Sequence, residues 1–547
     1  MNRKNQWTLI FYFAGDNLLS PGMVSQLKAI KDAGFQEDTR VLVYFDPGEK
    51  GASTRLFEVN RQRKQEKRFQ IGDGANPFVR NLIEDGITAQ TLEARERELK
   101  TASRTSAGVA ALESLRELKK ELTTSDTTSA VRSLTSFLSF CVNECPAEHY
   151  MVFLVGHGMI VGNDAFLPDE HPNTAIKLKQ LGNILRDFTE NVNHKGGTFE
   201  LLGLHSCSMS AVEVAYELKD TANYMMATEG SSFVGSWPYR QLLKKFFNTM
   251  KQAKRDKAEV DVKMLIRKLY ELSLYNSTDF MFAGFSADIS LCNLNGAKVT
   301  ELTEPLVELT KALRRALPDE REKQRILLAH LKSQSYWEEN YTDLYDFCHC
   351  LSEMYDKEVE KDNPVRLACD EVINRLDARQ RSDAFDALIV FSDHFGPTYQ
   401  YSHGLSIYFP WSEPVADGTQ DIMRNYRSYA FTKELKSNSW DKFLKDYFDS
   451  TKRELREEED YFMKDGHKEC VNRITFVLDG SAVSDNSTSA GGTILGKPNP
   501  ADSGGKPNPA DSGSSDCSCG SVKNYDRRFS LSRRAYKAFR LRGRKKS

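Results

Sequence analysis

The chain has 547 residues, 40% of them hydrophobic and 28% charged, with 75 Lys and Arg against 77 Asp and Glu. At roughly 100–200 residues per domain this leaves room for two to four domains, and the near-neutral balance excludes a protein that grips nucleic acid over its whole surface. Ten cysteines exclude a disulfide scaffold, and no apolar run approaches the ~18 residues of a membrane-spanning helix.

In chain order, residues 7–14 (Trp-Thr-Leu-Ile-Phe-Tyr-Phe-Ala) are a short apolar run leading into Gly15-Asp16-Asn17. No small-residue cleavage pattern follows, so the run predicts a strand and not a signal peptide. The expected compartment is cytoplasmic, with free thiols. Further buried strands are predicted at 41–45, 150–155, 199–204 and 224–227. Amphipathic helices are predicted between them at 131–142, 178–188 and 211–218. This alternation predicts an α/β fold, a mainly parallel sheet sandwiched by helices, with chemistry beyond the carboxyl ends of the strands.

Residues 78–128 are charged and helix-prone at 93–100 and 115–122, and read as a solvated, mobile insertion or a regulatory loop. From 241 to 447 the pattern is mostly helical, with strand candidates at 387–392 and 405–409. The expected domains are 1–240, containing the sheet and the insertion, and 241–478, mostly helical with a few strands. A disordered linker at 479–520 repeats Gly-Lys-Pro-Asn-Pro-Ala-Asp-Ser-Gly at 496–504 and 505–513, a composition that buries little. The tail, 521–547, holds 11 Lys or Arg against one acid, Asp526. Its basic residues alternate with Tyr536, Phe539 and Leu541. That pattern fits nucleic acid, an anionic membrane, an acidic protein surface, a cover for the active site, or a solvated tail with no partner.

Two strand ends carry reactive side chains. The run 150–155 ends at Gly156-His157-Gly158, and the run 199–204 ends at His205-Ser206-Cys207 before a helix. On neighbouring parallel strands, His157 and Cys207 would project from one edge. Alone, a strand cysteine is most often a small buried hydrophobe and such a histidine a polar cap. Together they suit thiol chemistry: His157 takes the proton of Cys207, and the thiolate attacks a carbonyl. The backbone N–H groups of Gly158 and Cys207 would face the developing oxyanion. The other cysteines (Cys141 with Cys145, Cys348 with Cys350, Cys517 with Cys519) lack a paired metal spacing.

Over most of residues 5–450 the sequence resembles the clostripain family of cysteine peptidases, in the caspase-like clan. The resemblance rests on five ordered blocks: Trp7-Thr8-Leu9-Ile10 with Gly15-Asp16-Asn17; Pro146 to Tyr150 leading to His157-Gly158; Cys207-Ser208-Met209 with Val212 to Tyr216; Trp237-Pro238-Tyr239; and Gly404 to Pro410. The resemblance implies a Cys207–His157 dyad, a protein substrate and a thioester acyl-enzyme. It also implies a zymogen cut within 78–128 or 159–176, a regulatory partner, and by analogy limited proteolysis in bacterial defence. Some members bind calcium; here Asp164, Asp169 and Glu170 lack a recognised calcium spacing and read as solvated acids, so no cofactor is expected.

Many members cut after Arg or Lys and place an Asp two residues before the nucleophile and an acid just before the Trp-Pro-Tyr segment. This chain has His205 at the first position and Gly235-Ser236 at the second. With His205, Ser236 and Trp237 as pocket candidates, an unpaired guanidinium would be costly to bury. A preference not restricted to basic P1 residues follows, and Glu229 is the nearby acid that keeps the Arg/Lys option open. His205 is also an alternative base. A non-catalytic regulator that keeps the fold and acts through its insertion and tail is the competing function.

Overall fold

The computed structural model describes residues 5–48, 54–59, 89–102, 106–123, 129–158, 165–171, 173–275, 286–336, 340–377, 383–414 and 421–451. The nonapeptide repeat, the basic tail, Cys517, Cys519, Asp164 and parts of the 78–128 insertion lie outside these residues. Within them the long apolar runs form strands buried on both faces, as a covered parallel sheet requires. They are β1 (Asn5–Gly15), β2 (Thr39–Pro47), β4 (Ala147–Val155), β7 (Thr198–His205) and β8 (Tyr224–Ala227). The sheet order is β12-β9-β8-β7-β4-β1-β2-β3, adding β3 (Arg55–Glu58), β9 (Ala287–Asn293) and β12 (Ile389–Phe395). β2, β1, β4, β7 and β8 run parallel, while β3, β9 and β12 are each antiparallel to the neighbour they join.

Right-handed crossovers decide which face each helix covers. The chain steps one way from β1 to β2 through α1 (Ser20–Ala33), then back across the sheet through α4 (Ala130–Glu144), α5 (Leu178–His194) and α6 (Val212–Leu218). α7 (Tyr239–Asp256) packs beside α1, and α8 (Val262–Tyr275) beside α7. Aromatic contacts follow the strand period of two. Phe11 and Phe153 meet Tyr239 of α7, whereas Tyr12 and Tyr44 meet Phe137 of α4. Each such buried ring contributes about 2–3 kcal/mol of transfer free energy.

Two elements of the 78–128 segment, α2 (Ala89–Ala102) and α3 (Ser106–Glu121), are not the solvated excursion expected from their charges. Leu92, Leu115 and Leu118 are buried in them, and α3 packs on α4. Glu121, also buried, accepts hydrogen bonds from Ser133 Oγ (2.8 Å) and Tyr44 O–H (3.2 Å). Burial pushes its carboxyl up to about 7.

β9 lies in the region read as helical. Its alternating Asp288, Ser290 and Cys292 mask a strand that is buried throughout. Because β9 and β12 come from beyond residue 240, the sheet crosses the 240/241 line drawn from the sequence, and the described residues fall in one compact unit. β12 begins two residues later than the candidate at 387–392, and β13 (Ser406–Tyr408) lies within 405–409. β13 joins a small sheet with β10 (Ser335–Tyr336) and β11 (Tyr341–Asp343), and β5 (Phe166–Asp169) pairs with β6 (Thr174–Ile176) in a separate hairpin. Helices Thr303–Ala316, Glu320–Lys332, Leu344–Ser352 and Pro364–Leu376 make up most of the intervening chain. Among the described residues no helix is long and apolar enough to cross a membrane.

Candidate active site

The register of β4 and β7 aligns the two motifs. Val155 is paired with His205, so His157 and Cys207, each two residues further on, emerge at the same edge of adjacent strands. The turn after β4 is held by Gly156 N–H donating to His205 C=O (3.3 Å) and Leu167 N–H donating to His157 C=O (3.2 Å). Gly158 lies directly against the nucleophile's peptide. A Cβ there would sit 1.7 Å from Cys207 O and 2.8 Å from Cys207 N, which only glycine avoids. Aligned strand ends and a side-chain-free turn thus bring the candidate oxyanion backbone, Gly158 and Cys207, into contact.

Cys207 is 8% exposed. Its Sγ accepts from Ser232 N–H at 3.2 Å, and its S–H lies 3.5 Å from Ser232 C=O. The next residue, Ser208, adopts the left-handed region at φ 55°, a conformation that costs a non-glycine residue about 1–2 kcal/mol. Its N–H donates to Gly230 C=O at 2.9 Å, which holds the elbow in place.

His205 has both ring nitrogens engaged by neighbouring groups. It is buried and stacks on Trp237 at 4.6 Å. Nε2 must carry the proton, because Phe233 C=O at 2.7 Å can only accept. Nδ1 then accepts from Tyr239 O–H at 2.7 Å. Burial lowers the imidazole to about 4, so it is neutral at physiological pH. Ser236 Oγ lies 3.2 Å from Nε2 and donates to Phe233 C=O at 2.7 Å. His205, Ser236 and Trp237 therefore form one wall that holds residues 233–237.

Glu229 begins the 229–232 segment whose Ser232 N–H reaches Cys207 Sγ. It is fully buried, accepts from Gly404 N–H at 2.7 Å, and sits with Asp343 and Asp288. Burial first, then these two acids, raises its carboxyl well above the usual carboxylate range. It is a member of a buried carboxyl cluster and not a surface acid awaiting a cation.

Sequence reasoning missed two contributors. Asp288 on β9 accepts from Glu229 N–H (2.6 Å) and Gly230 N–H (3.0 Å). Tyr399 O–H accepts from Ser231 N–H (3.2 Å), and its ring occupies the space a Cβ on Gly230 would need. An acid and a tyrosine in a long helical-looking stretch carry no local signal. Asp169, read as solvated, is 6% exposed and accepts from His171 N–H at 3.1 Å, while Asp16 accepts from the same N–H at 2.7 Å. Among the described residues no group of His, Cys, Asp or Glu is arranged to hold a metal ion.

Three solved structures resemble the chain. One is a secreted C11 cysteine protease from Bacteroides thetaiotaomicron in complex with an irreversible peptide inhibitor, 14% identical, TM-score 0.44, covering 80% of this chain and 99% of that one. A second is the secreted C11 cysteine protease "iotapain" from the same organism, 12% identical, TM-score 0.48, covering 79% and 99%. The third is an inactive zymogen C11 protease from Parabacteroides distasonis, 17% identical, TM-score 0.39, covering 80% and 99%. No curated protein compared with the chain matches it. The model of the clostripain family, peptidase family C11, matches residues 12–447. With that match spanning most of the sequence, and two strand ends aligned as described, the chain belongs to the clostripain family of cysteine peptidases.

Proposed function

We propose that this peptidase cuts protein substrates with Cys207 as nucleophile and His157 as base. The carrying observation is the strand register that sets Gly158 against the Cys207 peptide. His157 takes the thiol proton and the sulfur attacks the scissile carbonyl. Collapse of the tetrahedral intermediate expels the amine with that proton and leaves a thioester. Water, deprotonated by His157, then releases the acid. Gly158 and Cys207 N–H groups stabilise the oxyanion. The Ser232 N–H, already directed at Sγ, favours the thiolate over the thiol.

The pocket reading extends to P1. His205 is neutral and hydrogen-bonded through both ring nitrogens, Trp237 is apolar, and Glu229 is buried with Gly404 and Asp343. A wall of this composition favours small or apolar P1 side chains over Arg or Lys. Processing within 78–128 or 159–176 completes the proposal as a zymogen.

The test is a set of peptides differing only at P1, with wild type, Cys207→Ala, His157→Ala and His205→Ala. Loss of turnover in the first two variants and residual turnover in the third supports the dyad. Full activity in Cys207→Ala overturns it, and a strong preference for Arg overturns the P1 assignment. Fragments that form in wild type and not in Cys207→Ala support self-processing; equal fragmentation excludes it.

A further inference from the structure

Four consecutive backbone N–H groups, those of Glu229, Gly230, Ser231 and Ser232, are each directed at a specific partner. Asp288 Oδ2 takes the first at 2.6 Å, Asp288 Oδ1 the second at 3.0 Å, Tyr399 O–H the third at 3.2 Å, and Cys207 Sγ the fourth at 3.2 Å. The first three acceptors come from β9 and the 396–404 loop, both distant in sequence from the motif that carries Cys207. Gly230 is packed too closely to carry a side chain, since a Cβ would lie 2.5 Å from Tyr399 Cζ and 2.9 Å from Asp288 Oδ1. Its carbonyl is held by Ser208 N–H (2.9 Å) and Thr228 Oγ–H (3.2 Å). The segment is pinned on both sides.

We propose that Asp288 is a positioning residue for the nucleophile: by clamping the Glu229 and Gly230 amides it aims the Ser232 N–H at Cys207 Sγ, and Tyr399 completes the clamp. A donor held on sulfur stabilises the thiolate more than the thiol. The titratable groups facing Asp288 are Glu229, Asp343, Tyr336 and Tyr399, and His394 on β12 is its cross-strand register partner. The geometry makes an unusual prediction of sign. Removing a buried negative charge near sulfur would by itself favour the thiolate and lower the thiol pKa. Releasing the Ser232 donor raises it. A positioning role therefore moves the pKa against the direction of simple electrostatics.

This inference rests on Cys207 as the nucleophile. The experiment measures the rate of Cys207 alkylation by iodoacetamide against pH, by peptide mapping of the full-length chain, for wild type, Asp288→Asn and Tyr399→Phe. An asparagine offers one acceptor where the carboxylate offers two, so one amide is released. The expected result is an apparent thiol pKa higher by about one unit in Asp288→Asn, corresponding to labelling about tenfold slower at neutral pH. Tyr399→Phe, which changes no charge, moves it the same way by a smaller amount, and kcat falls in step with the labelling rate in both. An unchanged or lowered thiol pKa in a folded Asp288→Asn protein overturns the proposal. Where that variant does not fold, an unchanged profile in Tyr399→Phe overturns it. Because alkylation reads the thiol directly, this failure is distinct from that of the nucleophile assignment, which falls only if Cys207→Ala retains turnover.

Discussion

The reacting edge and the structure behind it are built in opposite ways. At the edge, His157 and Cys207 stand on turns that follow apolar strands, and close packing leaves room for only a glycine at 158. Behind it, β9 and the 396–404 loop contribute single polar groups (Asp288, Ser290, Tyr399 and the backbone of Gly404) to a buried network. The first region depends on steric fit and the second on hydrogen bonds between segments far apart in the chain. Steric fit fails abruptly, whereas a network of hydrogen bonds loses strength in increments.

The sharpest break in this comparison is Gly158→Ala. The new methyl would meet the Cys207 carbonyl at 1.7 Å, and a shift of the reacting groups by ~1 Å costs on the order of 100-fold in rate. We expect kcat/KM to fall at least that far in the folded variant, with the thermal midpoint lowered as well because the backbone must shift to admit the methyl. A Gly158→Ala enzyme with wild-type turnover would show that the turn does not set the site.

Next in size is His205→Gln, which probes the wall between the two regions. His205 titrates near 4 in the fold because of burial, against an ordinary value near 6.5. The folded protein binds the proton more weakly than the unfolded chain. His205 therefore costs no stability above about pH 6.5 and destabilises progressively as pH falls toward 4, by up to roughly 3 kcal/mol. Urea midpoints measured from pH 4 to 7.5 check this: the acid-side loss should be shallower in His205→Gln than in wild type. Parallel curves would mean that the ring is not held neutral.

The smallest effect belongs to Ser210→Ala, which cuts one tie between the regions. Ser210 Oγ donates to Gly404 C=O at 2.7 Å and lies 2.6 Å from Ser290 Oγ. Its loss should cost about 1–2 kcal/mol of stability by urea unfolding and leave kcat/KM within about twofold of wild type. The backbone link survives, since Ser406 N–H still donates to Ser210 C=O at 3.0 Å. A larger loss of activity than of stability would place the coupling of the two regions in this hydroxyl.

Much of this was legible in the residues. The five parallel strands were found because they are apolar on both faces, and His157 with Cys207 because each follows such a run at a turn. β9 was not legible: its inward Asp288 and Ser290 look like solvent-facing alternates until their partners are known. The charged helices α2 and α3 misled in the same way, since Leu92, Leu115, Leu118 and Glu121 are a minority that the tertiary contacts bury. Glu229 was placed near the pocket by proximity in sequence, whereas a hydrogen bond from Gly404, 175 residues away, draws it into the buried carboxyl cluster.

The amino-acid order by itself determined the strands, their helical connections, and the two turns on which a thiol and an imidazole emerge, because hydrophobic runs and glycines act over a few residues. Only the tertiary structure decided which polar groups are buried, what each one holds, and that His205 is a neutral wall while Asp288 grips the loop over the sulfur. A polar side chain has no intrinsic address. Its burial becomes favourable only when a complementary group from a distant segment arrives to satisfy it.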